Sequence, residues 1–176
     1  MTRFHSSLLG ADHRIAEFDC GNEALNGWLR DSAGRAHAAG VSRVTVWNEI
    51  GAPGAVAAYY SLSPTQLASR EGLSRSVSGG FTVVPAWLLG RLAVDRRYQH
   101  QGVGRQVLID AIETVVSLAD KAGGRLIVVD PIDQAAARWY ETFGFAPFGT
   151  DEAERPARRY LRIDRAVASL RQAAKQ

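Results

Sequence analysis

The stretch from Leu88 to Arg105 constrains this chain more than any other. An apolar run closes at Asp95, a polar loop with glycines at 102 and 104 follows, and a strongly periodic segment begins at Gly104. The order is strand, loop, helix. The first N–H groups of a helix have no intrahelical acceptor, and the helix start carries about half a unit of positive charge. A helix entered through such a loop therefore presents a site for a phosphate-sized anion. Glycine lets the backbone approach a ligand where a Cβ would collide. Two nucleotide-binding alternatives fail on spacing: there is no Gly-x-x-x-x-Gly-Lys-Ser/Thr loop, and the Gly-x-Gly-x-x-Gly pattern lacks its third glycine.

The flanking segments supply a layered context. Val107, Leu108, Ala111, Ile112, Val115, Leu118 and Ala119 follow helical spacing, and Gly123-Gly124 stops the helix. Upstream, Asn22 reads as an N-cap with Glu23 in the first turn. Leu25, Trp28, Leu29, Ala33 and Ala36 make one apolar stripe, which predicts a helix to about Ala39, ended by Gly40. Strands are expected at residues 43–47, 55–61, 87–94, 126–129 and 158–163. Ser63-Pro64 reads as a turn or short helix, and residues 70–80, rich in Ser, Gly and Arg, as a mobile loop. Residues 133–142 predict a short helix ended by Phe143-Gly144, and the tail from Ala166 a further one. Strands alternating with helices predict an α/β domain. No repeat, low-complexity block or linker divides the chain, so a single domain over residues 1–176 is expected, with a core at about 5–165.

Composition narrows the function classes. A chain of 176 residues can bury one sizeable core. No apolar run is long enough to span a bilayer, and residues 1–10 lack a signal-peptide core, so a cytoplasmic protein is expected. The single cysteine, Cys20, excludes an internal disulfide, fits a reducing compartment and reads as a packing residue. No metal site is expected. The formal net charge is +3, and of the 21 basic residues all but Lys121 and Lys175 are arginine. Arginine grips phosphates bidentately and stacks on bases, which suits an RNA partner; a codon bias in an alanine- and glycine-rich chain explains it equally well.

The loop Gln99-x-x-Gly102-x-Gly104 resembles the pyrophosphate loop of the GNAT N-acetyltransferases, which bind acetyl-coenzyme A. The segment from Ala136 to Phe145 is similar to that family's late helix. The segments Phe18 to Leu29, Tyr60 to Pro64 and Leu89 to Asp95 resemble one branch, the acetyltransferase toxins of bacterial toxin–antitoxin pairs. The resemblance spans roughly residues 5 to 165. It implies a central mixed sheet with a splayed strand pair and helices on both faces. It implies that Leu92, Ala93 and Val94 pair with the pantetheine arm of the coenzyme. Gln99, His100, Gln101, Gly102, Val103, Gly104 and Arg105 would wrap the pyrophosphate, and Tyr140 would protonate the leaving thiolate. The family often has asparagine as a coenzyme contact seven residues before that tyrosine; the resemblance gives that place to Asp133 here, and this chain has Trp139 where a smaller aromatic is common. The branch acetylates the free amino group of aminoacyl-tRNA, which blocks translation. It pairs with a ribbon-helix-helix antitoxin whose arm wraps the toxin, and it suggests a homodimer.

The chemistry fits such a substrate. A peptide α-amine has a pKa of about 8, against about 10.4 for lysine. An α-amine beside an ester lies lower still and is largely neutral at pH 7, so no strong base is required. Glu23, Glu49 and the four histidines are candidate bases, and none sits in a motif. Arg75, Arg91, Arg97, Arg158 and Arg159 are candidate tRNA contacts. Two alternatives stand beside this reading. A housekeeping N-acetyltransferase would act on a protein or small-molecule amine without tRNA. A non-catalytic acetyl-coenzyme A-binding component of a protein–DNA complex would bind without turnover.

Overall fold

The structure, a computed structural model, describes residues 3–173. Its strands are β1 Phe4–Leu8, β2 Arg43–Glu49, β3 Val56–Ala68, β4 Val83–Val94, β5 Leu126–Val129, β6 Ala146–Phe148 and β7 Arg158–Arg162. Its helices are α1 Glu23–Asp31, α2 Ala33–Ala38, α3 Arg75–Ser78, α4 Val103–Ala122, α5 Gln134–Glu141 and α6 Ile163–Ala173. The strands form one mixed sheet in the order β1-β2-β3-β4-β5-β7-β6, the α/β class that the alternation of elements predicts. Among the described residues no helix is long and apolar enough to cross a membrane. The chain gathers into two compact units. One comprises residues up to Ser63 with Arg91–Ala111, the other Pro64–Gly90 with residues from Ile112 on.

In the first unit β1 and β2 pair antiparallel from Phe4↔Glu49 to Leu8↔Thr45, and β2 pairs antiparallel with β3 from Arg43↔Leu62 to Asn48↔Val56. Strand alternation turns Val44 and Val46 inward, where they pack with Phe18, Leu29, Ala33, Val56, Tyr59 and Ala93. Asn22 caps α1 as expected, its Oδ1 accepting from the Leu25 N–H at 3.1 Å. The single helix expected to Ala39 is instead two. Ser32 leaves helical geometry (φ −128°, ψ −31°) and α2 restarts at Ala33. Gly27, Ser32 and Gly34 are weak helix formers, so little opposes the break. The break leaves Leu29 and Ala33 both fully buried.

In the second unit β4 and β5 run parallel from Ala86↔Leu126 to Leu89↔Val129, and β7 pairs antiparallel with both β5 and β6. Leu67, Leu73, Val77, Val84, Ala86, Leu126 and Val128 form its core. Two expectations fail here. Ser63-Pro64 is no turn, because β3 continues to Ala68. Its ladder to β2 ends at Leu62, so the N–H that proline lacks removes no rung there. Residues 70–80 are no mobile loop either. They hold α3 and follow a 3₁₀ turn at Ser69–Glu71, with Leu73 and Val77 buried. Gly79 ends α3 at φ +68°, and a Cβ there would lie 2.8 Å from the Arg125 Cζ, so this glycine seats that guanidinium. Arg125 Nε in turn donates to the Val77 carbonyl at 3.1 Å.

Candidate active site

In the first unit the chain from β4 into α4 is built around Asp95. Its carboxylate is buried and takes four donors: the backbone N–H groups of Asp19 (3.1 Å) and Arg97 (3.0 Å), and the Arg97 Nε (2.7 Å) and Nη2 (3.0 Å). Burial works to raise the Asp95 pKa, but the Arg97 guanidinium and the two backbone donors outweigh it and hold the carboxyl below its usual range. Gln99 folds back, its Nε2 donating to the carbonyls of Val94 and Cys20, both at 2.8 Å. Gln101 Nε2 donates to the Arg97 carbonyl at 2.8 Å. These two side chains brace the loop from within. His100 is exposed and sits in the left-handed region at φ +58°. Gly102 follows at φ +78°, with nothing within 4 Å of where a Cβ would stand. Backbone conformation, not crowding, calls for glycine there, and the space beside it is open.

Helix α4 then begins at Val103, whose side chain is buried. The Gln106 N–H returns to the Gly102 carbonyl at 3.3 Å, which leaves the N–H groups of Val103, Gly104 and Arg105 as the helix's unsatisfied donors. With the positive end of a long helix behind them, they make an anion cradle. Arg105 is exposed beside it. Upstream, among the described residues, the ladder of β4 to β5 stops at Leu89 while β4 itself continues to Val94. Ala93 points into the core, and Leu92 and Val94 are half-buried. A strand that outruns a neighbour has N–H and C=O groups for an extended partner.

Three residues that the sequence reading left without a role hold this loop. Asp19 Oδ1 accepts from the Gly21 N–H (2.8 Å) and from Asn26 Nδ2 (2.9 Å), and Asn26 Oδ1 accepts from the Cys20 N–H (2.9 Å). The Arg96 N–H donates to the Asp19 carbonyl at 2.9 Å, and the Asp19 N–H reaches Asp95. Hydrogen bonds from Gly21 and Asn26 lower the Asp19 pKa. The opening segment and the coenzyme-type loop are thus one clasped structure. Its signal in the sequence was the recurrence of Asp, Asn and Asp in the two most family-specific segments. Burial pushes the Cys20 thiol up, so it is neutral and a poor nucleophile, in line with a packing role.

In the second unit, Asp133 caps α5. Its Oδ1 accepts from the Ala136 N–H at 2.7 Å, which an asparagine's amide oxygen would do equally well. Trp139 packs edge-on against Tyr140 (5.0 Å) and Phe143 (4.9 Å), and Tyr140 meets Phe145 at 5.4 Å. Tyr140 is buried, and burial alone drives its phenol far above the ordinary tyrosine value. It stays protonated across the physiological range. Its hydroxyl has no hydrogen-bond partner among the described residues, so the proton is uncommitted. A polar hollow of about 460 Å³ also opens in this unit, lined by Asp130, Thr150, Glu152, Arg155 and Arg158.

The structure sorts the arginines nominated for RNA. Arg75 is exposed on α3. Arg97 is committed to Asp95, and Arg158 lies bidentate on Asp130 at 2.7 and 2.8 Å. Arg159 is 1% exposed and bound by Glu141 (2.9 Å), Asp151 (2.9 Å from each nitrogen) and the Ala157 carbonyl (2.6 Å). It is an internal strut, and the expectation that it meets RNA is corrected: its donors are spent and its guanidinium is out of solvent. Arg91 is partly buried and lies 4.1 Å over the Trp28 ring. Among the candidate bases, Glu49 is held by Arg3 (2.7 Å) and the Tyr98 hydroxyl (2.8 Å), which lower its pKa. Glu23 pairs with Arg30 at 3.1 Å, and His37 Nδ1 accepts from the Val44 N–H at 3.0 Å.

A buried-acid loop clasped against a helix start, beside a strand that outlasts its parallel neighbour, suits an extended ligand with an anionic group. Residues 45–147 match the family model of the acetyltransferase (GNAT) domain. The chain belongs to the GNAT acetyltransferase family and is by class an acyl-coenzyme A-dependent N-acetyltransferase. It is 34% identical over 137 residues to a tRNA-acetylating toxin of Mycobacterium tuberculosis, covering 78% of this chain and 81% of that protein. AtaT complexed with acetyl-methionyl-tRNAfMet matches it with a TM-score of 0.83 at 26% identity, over 95% of this chain and 99% of that one. AtaTR bound with acetyl-coenzyme A matches with a TM-score of 0.79 at 26% identity, over 97% and 99%.

Proposed function

We propose that this chain is the toxin of a toxin–antitoxin pair, a single-domain enzyme that moves the acetyl group of acetyl-coenzyme A onto the α-amino group of aminoacyl-tRNA and so blocks translation. The likeness to the tRNA-acetylating toxin across most of both chains carries the substrate assignment. The Asp95-centred loop and the free N–H groups of Val103, Gly104 and Arg105 support the coenzyme assignment, with the pyrophosphate in the cradle and the pantetheine along Leu92, Ala93 and Val94. Gln99 and Gln101 serve the coenzyme by bracing the loop, His100 and Gly102 by its turn, and Val103 by anchoring α4. Asp133 serves by starting the helix that carries Tyr140.

The reaction follows from the groups present. The neutral α-amine attacks the thioester carbonyl carbon, a C–N bond forms, and the C–S bond breaks. Tyr140 gives its proton to the sulfur as the thiolate leaves. The nitrogen's surplus proton passes to water, and the phenolate recovers one from solvent. Burial keeps the Tyr140 phenol protonated, because the charged form is the one that desolvation penalises, so the group enters the step holding its proton. The partners of this reading are charged tRNA and a ribbon-helix-helix antitoxin, in the cytoplasm, with the toxin as a homodimer.

The test is transfer of labelled acetyl from acetyl-coenzyme A to a panel of charged tRNAs. Label on the aminoacyl group, released with it by mild alkaline deacylation, is the expected result. Label confined to proteins or small amines would refute the reading and leave the housekeeping alternative. Binding without any turnover would leave the non-catalytic one.

A further inference from the structure

We infer that Arg91, set over the Trp28 ring, is a binding residue that takes a phosphodiester of the acceptor RNA. The inference rests on the proposed acceptor but deepens it to a named contact. The platform is built from packed aromatic rings. Arg91 Cζ sits 4.1 Å from the Trp28 ring centroid. The indole stacks in turn on Tyr59 at 6.0 Å with 17° between planes. Tyr59 is fully buried, packs edge-on against Phe18 at 5.4 Å, and donates its hydroxyl to the Leu25 carbonyl at 2.8 Å. The guanidinium therefore has a packed aromatic seat before any ligand arrives.

This cation lacks a counter-charge. Arg97, Arg158, Arg159 and Arg162 each grip a carboxylate, and their partners raise their pKa values. Arg91 has no hydrogen bond or ion pair among the described residues, and burial lowers its pKa. A partly desolvated guanidinium costs free energy unless something accepts its protons. Its Cζ sits over the Trp28 ring, while its N–H donors meet no acceptor among the described residues. An edge of parallel N–H groups suits the paired oxygens of a phosphate. Attraction to the ring holds the cation in place but leaves those donors unanswered.

Chain position separates the two sources of phosphate. Arg91 precedes Leu92, at the end of the Leu92–Val94 segment away from the cradle. Three strand residues span roughly 10 Å, so the cradle and Arg91 serve different anions. The coenzyme's pyrophosphate has its own donors at Val103, Gly104 and Arg105. The acceptor's phosphodiesters remain for Arg91.

The experiment compares wild type with Arg91→Met, which keeps an apolar stem on Trp28, and Arg91→Lys, which keeps the charge but not the planar fork. Thermal melting reports folding. For Arg91→Met, KM for charged tRNA should rise at least tenfold with kcat at saturation nearly unchanged. Its tRNA-binding slope against log salt should flatten by about 0.7–0.9, one phosphate's worth. Acetyl-coenzyme A affinity by calorimetry should hold. Arg91→Lys should recover part of the KM, and it stands alone if the methionine variant does not fold. Unchanged KM and slope overturn the assignment. So does a loss of acetyl-coenzyme A affinity with tRNA binding intact, which would give Arg91 to the coenzyme. If wild type acetylates no charged tRNA, the proposed function falls, and the contact is read separately from binding of a short single-stranded RNA ending in CCA. Binding that Arg91→Met weakens keeps it; binding indifferent to Arg91 ends it.

Discussion

Tyr140 and Asp95 show how much one side chain's surroundings decide. A general acid typically contributes about 10²–10⁴-fold to a rate, so Tyr140→Phe should lower kcat within that range while calorimetry finds acetyl-coenzyme A affinity intact. A variant that turns over at the wild-type rate would reduce Tyr140 to packing. Asp95 carries a pH signature. Its folded pKa is depressed, so the stability it lends is present above the unfolded value of about 3.9 and fades as pH falls through the lower, folded one. Asp95→Asn should therefore cost about 1–3 kcal/mol in denaturant melts at neutral pH, and the difference from wild type should shrink under strong acid. A gap that stays constant down to pH 2 would contradict this. Tyr140 was nominated by the family resemblance alone, and it lies buried against Trp139 and Phe145. The five nominated arginines look alike in the sequence, because charge pattern carries no depth. Strand alternation in β7 held a clue to one of them, since Arg159 shares an inward face with the buried Leu161.

Elements with strong local signals were read closely, and those decided by packing were not. The stripe from Val107 to Ala119 with its Gly123-Gly124 stop gave α4, and the four apolar residues of β5 gave that strand to the residue. Asn22 gave the start of α1. Ser32, Pro64 and residues 70–80 misled because local propensity was overruled. A helix broke to fit the core, a proline fell beyond the last β2 rung, and a polar segment was tied down through Leu73, Val77 and Arg125. β1 and β6 went unread, one being mostly exposed and the other three residues long. The start of α4 makes the strongest claim at this scale. Gly104 lies in its first turn, where valine is compatible with the backbone but puts branched carbon into the cradle. Gly104→Val should keep its melting temperature and weaken acetyl-coenzyme A at least tenfold, about 1.4 kcal/mol. Equal affinity by calorimetry would rule the cradle out as the pyrophosphate site.

For the whole molecule the expectation is physiological. Expressed alone, the chain should arrest growth and translation, and co-expression of its antitoxin should restore both. Normal growth despite folded, coenzyme-binding protein would return the chain to housekeeping acetylation. The α/β architecture was legible from the order of elements; the gathering of residues into two units was not, because β3 and β4 each begin in one and end in the other. The bonds that join Asp19 and Cys20 to Asp95, Arg96 and Gln99, with Asn26 holding Asp19 and Cys20 from behind, bear on how such a chain can be rebuilt. A hybrid that borrows only residues 95–105 from a distant relative would put those bonds at risk and leave the borrowed turn slack. Residues 18–29 must travel with it: the two stretches, far apart in the gene, are a single graft.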